Sequence, residues 1–233
     1  MKLSTASPFV VAVIGSGGKT SLIELITSAF LKSSKRILII TTTHMALPMN
    51  HPYPCKTHIV GKDEVEIGEE ELKHQALLVA SIDGDRLMAI HPSLIETLLP
   101  HYDIILVEAD GARKKNLKYH RNNEPVLLEG TNLLIKVIGL SSLGNRVEEE
   151  LHNVDLFNRE NEWKETMVDN ELIHYLACSP RGLKIGKEHH HSIILFNQSD
   201  ALEGAQLASF IRSCSPYVEK VTYPHLVGSI HTD

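Results

Sequence analysis

The segment FVVAVIGSGGKTS, residues 9–21, constrains the fold of this chain more than any other. Its first half is an apolar, β-branched run that predicts a buried strand, and Gly15 ends that run. A glycine-rich hexapeptide ending in Lys-Thr follows and leads into an amphipathic stretch from Leu22 to Lys32. A strand, a tight turn and a helix start are therefore predicted within about fifteen residues.

Such a strand–turn–helix unit is suited to binding a polyphosphate. Glycines let the backbone curl so that amide N–H groups point inward, and the helix N-terminus adds partial positive charge. We expect Lys19 to reach the outer phosphates and Thr20, with Ser21 in reserve, to provide a hydroxyl for Mg²⁺. The residues assigned to nucleotide binding in this segment are Gly15, Ser16, Gly17, Gly18, Lys19, Thr20 and Ser21.

The loop departs from the common pattern G-x-x-x-x-G-K-[ST]. Val13 stands where that pattern has its first glycine, so the loop is two residues shorter. The alternative interpretation is an ordinary glycine turn with a solvated lysine.

Composition excludes several functional classes. The 233 residues suit one α/β domain, and a formal net charge of −6 disfavours nucleic acid as a partner. No apolar run approaches about 18 residues, so no membrane span is predicted. The 3 cysteines lack a C-x-x-C pair and the 14 histidines lack an H-x-x-x-H pair, even in the run at 189–191. We expect a cytoplasmic protein without a disulfide framework and without a structural zinc site.

The apolar runs predict the fold class. Strands without polar alternation, separated by helices, indicate an α/β protein with a mostly parallel sheet and helices on both faces. We expect one nucleotide-binding domain over residues 1–233, with an irregular loop at 111–130. Predicted strands are 9–14, 36–41, 77–81, 87–90, 103–108, 133–138, 192–196 and 218–223, the pair at 77–90 forming a hairpin. Predicted helices are 22–32, 92–99, 146–157, 165–177 and 200–214.

Two carboxylates follow the strand at 103–108. Glu108 and Asp110 are two residues apart, so both side chains point to one face if the strand continues. The carboxyl ends of parallel strands share one edge, where ligands bind. Either residue could hold Mg²⁺, with Thr20, while the other orients the attacking group. Solvated acids in a turn are the alternative.

The segment Thr41-Thr-Thr-His-Met45 should reach the same edge. Threonine hydroxyls there can meet a metal ion or the outer phosphate, and His44 can act as a base, a ligand or a substrate contact. Alternatively, the threonines only favour the strand end and His44 packs against Met45.

The run Asn197-Gln-Ser-Asp200 follows another apolar strand. Guanine-binding proteins commonly carry N-K-x-D at this place, where the aspartate accepts from the guanine ring and the asparagine braces the loop. Asn197 and Asp200 are therefore candidate nucleotide-binding residues. Gln198 replaces the lysine and leaves the choice between ATP and GTP open. Asp200 could instead cap the following helix.

These four segments, in this order, resemble the YqeC-like family, described as selenium-dependent hydroxylase accessory proteins. Asn123-Glu-Pro-Val126 resembles its H-E-P-V block, with Asn123 in place of histidine, and 137–144 resembles its V-x-G-x-x-x-x-G block. The resemblance implies a three-layer phosphate-loop NTPase fold and a role in the maturation of molybdenum-containing hydroxylases. The basic run Arg113, Lys114 and Lys115 resembles another family block. It lies close in sequence to the two carboxylates and is a candidate site for an anionic second substrate, such as the molybdopterin phosphate of a hydroxylase cofactor.

The resulting hypothesis is a Mg²⁺-dependent protein that binds ATP or GTP and hydrolyses it or transfers a phosphoryl group. Lys19, Glu108, Asp110 and His44 are its candidate catalytic residues. One alternative is a nonhydrolytic nucleotide-binding module that docks on a molybdenum hydroxylase. Another is an NAD-dependent oxidoreductase, although Thr20 occupies the position of its third glycine.

Overall fold

A computed structural model of the chain describes residues 7–46, 54–185, 191–218 and 225–230. Within these residues the chain forms twelve strands. They are β1 (Phe9–Gly15), β2 (Ile37–Thr41), β3 (His44–Ala46), β4 (Lys56–Ile59), β5 (Ala76–Asp83), β6 (Arg86–Met88), β7 (Ile104–Glu108), β8 (Leu117–Lys118), β9 (Thr131–Gly139), β10 (Leu151–His152), β11 (His191–Asn197) and β12 (His225–Val227).

The same part of the chain forms six α-helices, of which none is long and apolar enough to cross a bilayer. They are α1 (Lys19–Leu31), α2 (Pro92–Leu98), α3 (Val147–Glu150), α4 (Val154–Glu160), α5 (Asn170–Cys178) and α6 (Gly204–Val218). Short 3₁₀ turns occur at Glu71–Lys73, Leu99–His101, Leu140–Ser142 and Ser199–Ala201.

Ten of the described strands form one sheet in the order β12-β11-β9-β1-β7-β2-β5-β6-β3, with β4 paired to β5. All pairs are parallel except those that β6 makes with β5 and β3. Strands β7, β2 and β5 lie on one side of β1, whereas the later strands β9, β11 and β12 lie on the other. The strand order therefore reverses at β1, where open α/β sheets bind ligands.

The central strands are buried on both faces, as their unbroken apolar sequences require. Every residue of β2 and of β7 is buried. On one face, alternate strand residues pack against α2, α4, α5 and α6, through side chains such as Leu94, Phe157 and Phe210. On the other face they pack against α1, through Leu22 and Ile23. The predicted α/β class, with a mostly parallel sheet and helices on both faces, is confirmed.

The hairpin predicted at 77–90 is confirmed, but its expected place at the sheet edge is wrong, because β3 and not β6 is the outermost described strand on this side. β5 and β6 pair antiparallel from Ser81↔Met88 to Asp83↔Arg86, and Gly84 adopts a φ of 57° in the turn. β6 pairs on its other side with β3, which begins at His44. The segment after β2 is therefore held at the carboxyl edge of the sheet.

The helix predicted over 146–157 is wrong, because it is interrupted. Leu151 pairs with Leu117 in a small parallel sheet of β8 and β10, and Asn153 then takes a left-handed conformation (φ 65°) before α4. Pairing with a distant strand outweighs local helix preference here.

Other boundaries also shift. α5 begins only at Asn170, since the Asp169 side chain accepts from Leu172 N at 2.8 Å. Val218 ends α6 rather than starting a strand, and 219–223 lies outside the described residues. The histidine run at 189–191 also lies outside them, apart from His191, which starts β11.

The region 111–130 has little regular structure, as predicted, but it is not a solvated loop. Its single described strand, β8, is buried at both Leu117 and Lys118, and the next two residues, Tyr119 and His120, are buried as well. Val126 N donates to Ala109 O at 3.0 Å, so the loop is tied to the end of β7. Charged side chains of this region are consequently brought into the interior next to the glycine loop.

The central position of β7 makes its apolar residues sensitive to truncation. Leu106 is fully buried, so Leu106→Ala should lower the free energy of unfolding by about 2–5 kcal/mol, measured by urea denaturation. Leu25 lies on α1 with 44% of its surface exposed, and Leu25→Ala is the matched control, with an expected change within about 0.5 kcal/mol. Equal losses in the two variants would contradict the assignment of β7 to the sheet centre.

Candidate functional site

The turn after β1 is a closed glycine loop at the carboxyl edge of the sheet. Gly15, Gly17 and Gly18 have φ angles of 90°, 85° and 118°, which L side chains rarely adopt. A Cβ on Gly17 would lie 2.3 Å from Gly139 Cα, and a Cβ on Gly18 would lie 2.3 Å from Asn197 Nδ2. The loop therefore needs glycine both for its conformation and for its contact with the ends of β9 and β11.

The first amides of the loop are used by the protein itself. Gly15 N donates to Asp110 Oδ2 and Ser16 N donates to Val137 O, each at 2.9 Å. The expectation that Ser16 offers its amide to a phosphate is corrected by this contact. The amide N–H groups of Lys19, Thr20 and Ser21, in the first turn of α1, have no acceptor within the helix, because no helical residue precedes them by four positions. Ser16 Oγ is buried and finds no partner among the described residues.

Lys19 turns back into the loop. Its Nζ donates to Gly15 O at 2.9 Å and to the carboxylate and the carbonyl oxygen of Asp110, and it lies 3.7 Å from Glu108 Oε1. Burial by itself lowers the pKa of Lys19, but the charges of Asp110 and Glu108 outweigh burial and raise it. Lys19 is therefore a buried, charged group and not the solvated lysine of the alternative interpretation.

The carboxylate of Asp110 contacts both the start of the glycine loop and Lys19. Its Oδ1 accepts from Lys19, while its Oδ2 accepts from Gly15 N and from His120 Nε2, the latter at 2.6 Å. The residue is completely buried, which by itself raises its pKa, but Lys19 and His120 together hold that pKa below its usual value. Both oxygens of Asp110 are thus engaged by the protein.

Sequence reasoning assigned no site role to three polar residues that the structure places here: Lys118, His120 and Glu124. His120 Nδ1 lies 3.2 Å from Arg181 O and its Nε2 lies 2.6 Å from Asp110 Oδ2, so the ring connects the buried carboxylate to a backbone carbonyl of the C-terminal half. Lys118 pairs with Glu124 at 2.9 Å and donates to Gly111 O. The alternation of apolar Leu117 and Tyr119 with these polar residues was the available signal.

Glu108 and Thr20 form a second polar pair beside Lys19. Thr20 Oγ1 donates to Glu108 Oε2 at 3.4 Å, and Glu108 is 5% exposed. Burial is the main cause that raises the pKa of Glu108, and the charge of Lys19 opposes it. The structure thus brings together the hydroxyl and one of the carboxylates that the sequence assigned to a metal ion.

His44 lies beside the same group of residues. Thr41 Oγ1 donates to Glu108 O at 2.9 Å, which places the end of β2 against the end of β7. The His44 ring lies where a side chain on Gly111 would be, with Nε2 2.3 Å from the position of a Cβ. Nε2 is buried without a partner in the described part of the chain. Burial, followed by the charges of Arg86 and Lys118, lowers the pKa of His44, so the ring is neutral at pH 7.

Asn197 connects the end of β11 to the loop. Its Nδ2 donates to Gly17 O at 2.8 Å and its Oδ1 accepts from Ile230 N at 3.0 Å. Asp200 lies in a 3₁₀ turn, whereas α6 begins only at Gly204. The alternative in which Asp200 caps the following helix therefore does not describe this structure.

The basic run 113–115 is divided between different roles. Arg113 and Lys114 are exposed and have left-handed backbone conformations, with φ angles of 49° and 62°. Lys115 Nζ donates to the carbonyl oxygens of Glu148, at 3.2 Å, and of Glu149. Lys115 therefore stabilises the C-terminal end of α3, and its ammonium is already engaged.

No group of three or more His, Cys, Asp and Glu side chains in the described ranges is arranged to hold a metal ion by itself. A cation bound at Thr20 and Glu108 would thus have few protein ligands. Mg²⁺ bound together with substrate phosphates is usually held in this way, by one or two carboxylates.

The depressed pKa of Asp110 predicts acid sensitivity. The folded state keeps this carboxyl ionised where the unfolded chain protonates it, so the stability it contributes is present above about pH 4 and lost as the pH falls further. In urea denaturation at pH 7, 4 and 3, Asp110→Asn should be less stable than wild type at pH 7 and lose less on acidification. Asp85→Asn, at an exposed turn position, is the control and should keep the wild-type acid slope. An unchanged slope in Asp110→Asn would contradict the prediction.

Comparison with known proteins places this geometry in a family. The family model described as YqeC protein matches residues 11–155, a region that contains the glycine loop, His44, Glu108, Asp110 and His120 but ends before Asn197. A relative from Escherichia coli (strain K12), "Uncharacterized protein YqeC", is 32% identical over 148 residues, which are 61% of this chain and 56% of the relative. The chain thus spans a little over half the length of that relative. Since the family model covers more than half of the chain, this protein belongs to the YqeC family.

Proposed function

We propose that this protein binds a nucleoside triphosphate with Mg²⁺ at the glycine loop and hydrolyses it or transfers its terminal phosphoryl group. The observation that carries the proposal is Lys19, a buried charged lysine inside a closed glycine turn at the N-terminus of α1. Glu108 and Thr20 lie directly beside it. Anion-binding amides, an ammonium group and an acid–hydroxyl pair are the parts that phosphoryl transfer requires.

The phosphates would be held by α1 and by Lys19. The first-turn amides of α1 point out of the helix N-terminus, where the helix dipole favours negative charge. Lys19 would exchange its contacts with Gly15 O and Asp110 for phosphate oxygens. Asp110 retains hydrogen bonds from Gly15 N and His120 after this exchange, so one of its oxygens stays satisfied while Lys19 moves and the charge of Lys19 remains close by. This assigns Asp110 a positioning role in place of the metal-binding role expected from the sequence.

The donor set of Thr20 and Glu108 fits magnesium. A hydroxyl and a carboxylate oxygen 3.4 Å apart supply the hard oxygen ligands that this ion prefers. Both oxygens of Asp110 already have protein partners, so Glu108 is the better ligand of the two acids. When bound, magnesium supplies positive charge that neutralises the phosphates and the developing charge on the transferred group.

His44 is the proposed base for the attacking group. Its neutral ring has an unpartnered Nε2, in the described part of the chain, next to Gly111 and close enough for the charge of Lys19 to affect it. A water molecule or a bound acceptor would deliver its proton to this nitrogen. The exposed Arg113 and Lys114 would serve an anionic second substrate, whereas Lys115 is used by α3.

The proposed place of this activity is the maturation of molybdenum-containing hydroxylases, as an accessory factor, which is the role that the resemblance to the YqeC-like family implies. A nonhydrolytic docking module is the second candidate. It would bind the nucleotide tightly at the same residues without releasing phosphate, and a phosphate-release assay separates the two. The lysine buried within the loop favours a triphosphate over a dinucleotide.

Loss of the lysine charge should abolish binding. Because Lys19→Met alone would strand the buried Asp110 charge, the informative variant is Lys19→Met with Asp110→Asn, which removes both charges together. Calorimetry with a triphosphate and Mg²⁺ should show affinity roughly 100-fold below wild type, since charge-assisted bonds to phosphate are lost. Lys32→Met, at an exposed position, is the control. Wild-type affinity in the double variant would refute the proposal.

Substitutions of Glu108 and Asp110 should differ in how far Mg²⁺ increases nucleotide affinity. Glu108→Gln removes the proposed ligand, so adding Mg²⁺ should no longer increase nucleotide affinity in the same calorimetric assay. Asp110→Asn should keep that increase, because its oxygens serve the loop. The assignment of the metal to Glu108 fails if the two variants show the opposite pattern.

A further inference from the structure

The end of β11 carries polar groups that the proposed phosphate contacts do not use. Asn197 fixes this end to the loop through Gly17 O and to the segment after β12 through Ile230 N. Gln198 Oε1 accepts from Ser141 Oγ at 2.7 Å and lies against Gly139, which itself contacts Gly17. Asn197 and Gln198 therefore flank the glycine loop on the side of β9 and β11, and Ser199 and Asp200 follow in a short turn.

Asp200 is exposed in the turn that follows β11, and a serine orients its carboxylate. Ser229 Oγ donates to Asp200 Oδ1 and accepts from Asp200 N, the latter at 2.9 Å. Ser199 N in turn donates to Gly228 O at 3.0 Å, so the turn after β11 and the segment after β12 hold each other. One contact thus orients the carboxylate and two fix the backbone of its turn, and this carboxylate neither caps α6 nor lies among the proposed catalytic residues.

We propose that Asp200 recognises the base of the nucleotide and selects guanine over adenine. This inference rests on the proposed function. A carboxylate can only accept hydrogen bonds. Guanine presents two adjacent donors, N1–H and the N2 amino group, which match its two oxygens. Adenine presents an N1 acceptor beside its amino group, so one lone pair would face another, and a site built for donors rejects such an analogue.

The strand order sets the distance from the glycine loop to the end of β11, which the turn containing Asp200 follows directly. β11 is two strands away from β1 in the sheet order, and neighbouring strands are about 4.8 Å apart. A base recognised at the end of β11 would therefore lie about 10 Å from the loop, a separation that a ribose and its α-phosphate span. Asn197 bonded to Gly17 O keeps the two parts of the site in a fixed relation.

The test compares three triphosphates on the full chain. Calorimetry with Mg²⁺ should show GTP binding about 100-fold tighter than ATP to the wild type. Asp200→Asn replaces one acceptor by an N–H donor, so it should lose that preference and gain affinity for XTP, whose base carries an oxygen at C2. Asp155→Asn, an exposed aspartate on α4, is the control and should behave as wild type.

The outcomes distinguish this inference from the proposed function. Equal binding of GTP and ATP, or an Asp200→Asn variant with unchanged preference, overturns base selection and leaves the triphosphate site intact. Failure of the wild type to bind any triphosphate overturns both. Gain of XTP binding cannot result from misfolding. If circular dichroism shows that Asp200→Asn is misfolded, Ser229→Ala is tested in its place. That variant frees the carboxylate without removing it and should weaken GTP binding while leaving ATP binding unchanged; no such change overturns the inference.

Discussion

The buried ion pair between Lys19 and Asp110 is the interaction on which the carboxyl edge of the sheet depends. Lys19 comes from the first turn of α1 and Asp110 follows β7, and neither is more than 5% exposed. Removing one partner of such a pair costs about 3–5 kcal/mol, since the other charge is left uncompensated. Through the bond from Gly15 N to Asp110, the same carboxylate also fixes the beginning of the glycine loop.

The pair is supported by a second layer of polar contacts that reaches into the C-terminal half of the chain. His120 connects Asp110 to Arg181 O, and Arg181 pairs with Glu160 Oε2 at 2.8 Å. Tyr119, next to His120, donates to the same Glu160 carboxylate at 3.0 Å. The region between β7 and β9 therefore holds the glycine loop in place. It does so through polar side chains that are packed against the protein and not exposed to solvent.

Local sequence was sufficient for the parts of the fold that rest on a strong apolar pattern. The runs that became β1, β2 and β7 have few polar interruptions and form strands buried on both faces, whereas the run that became β11 is fully buried mainly at alternate positions. The predictions failed where a distant partner decided the outcome. The stretch 146–157 has a helical pattern, but Leu151 pairs with Leu117, and that pairing outweighs the propensity of the intervening residues.

The sequence by itself determined the chemistry available at this site: glycines that alone tolerate the loop conformation, one lysine at the helix start, and acids at the end of an apolar strand. Tertiary structure decided how the two acids differ. Glu108 lies beside Thr20, while Asp110, two residues later, is enclosed by Lys19, Gly15 and His120. Sequence spacing gives both acids the same face of an extended strand, but their partners come from β1, α1 and the stretch after β8. Only the packing of those elements fixes which acid is enclosed, because hydrogen bonds and burial depend on neighbours in space rather than along the chain.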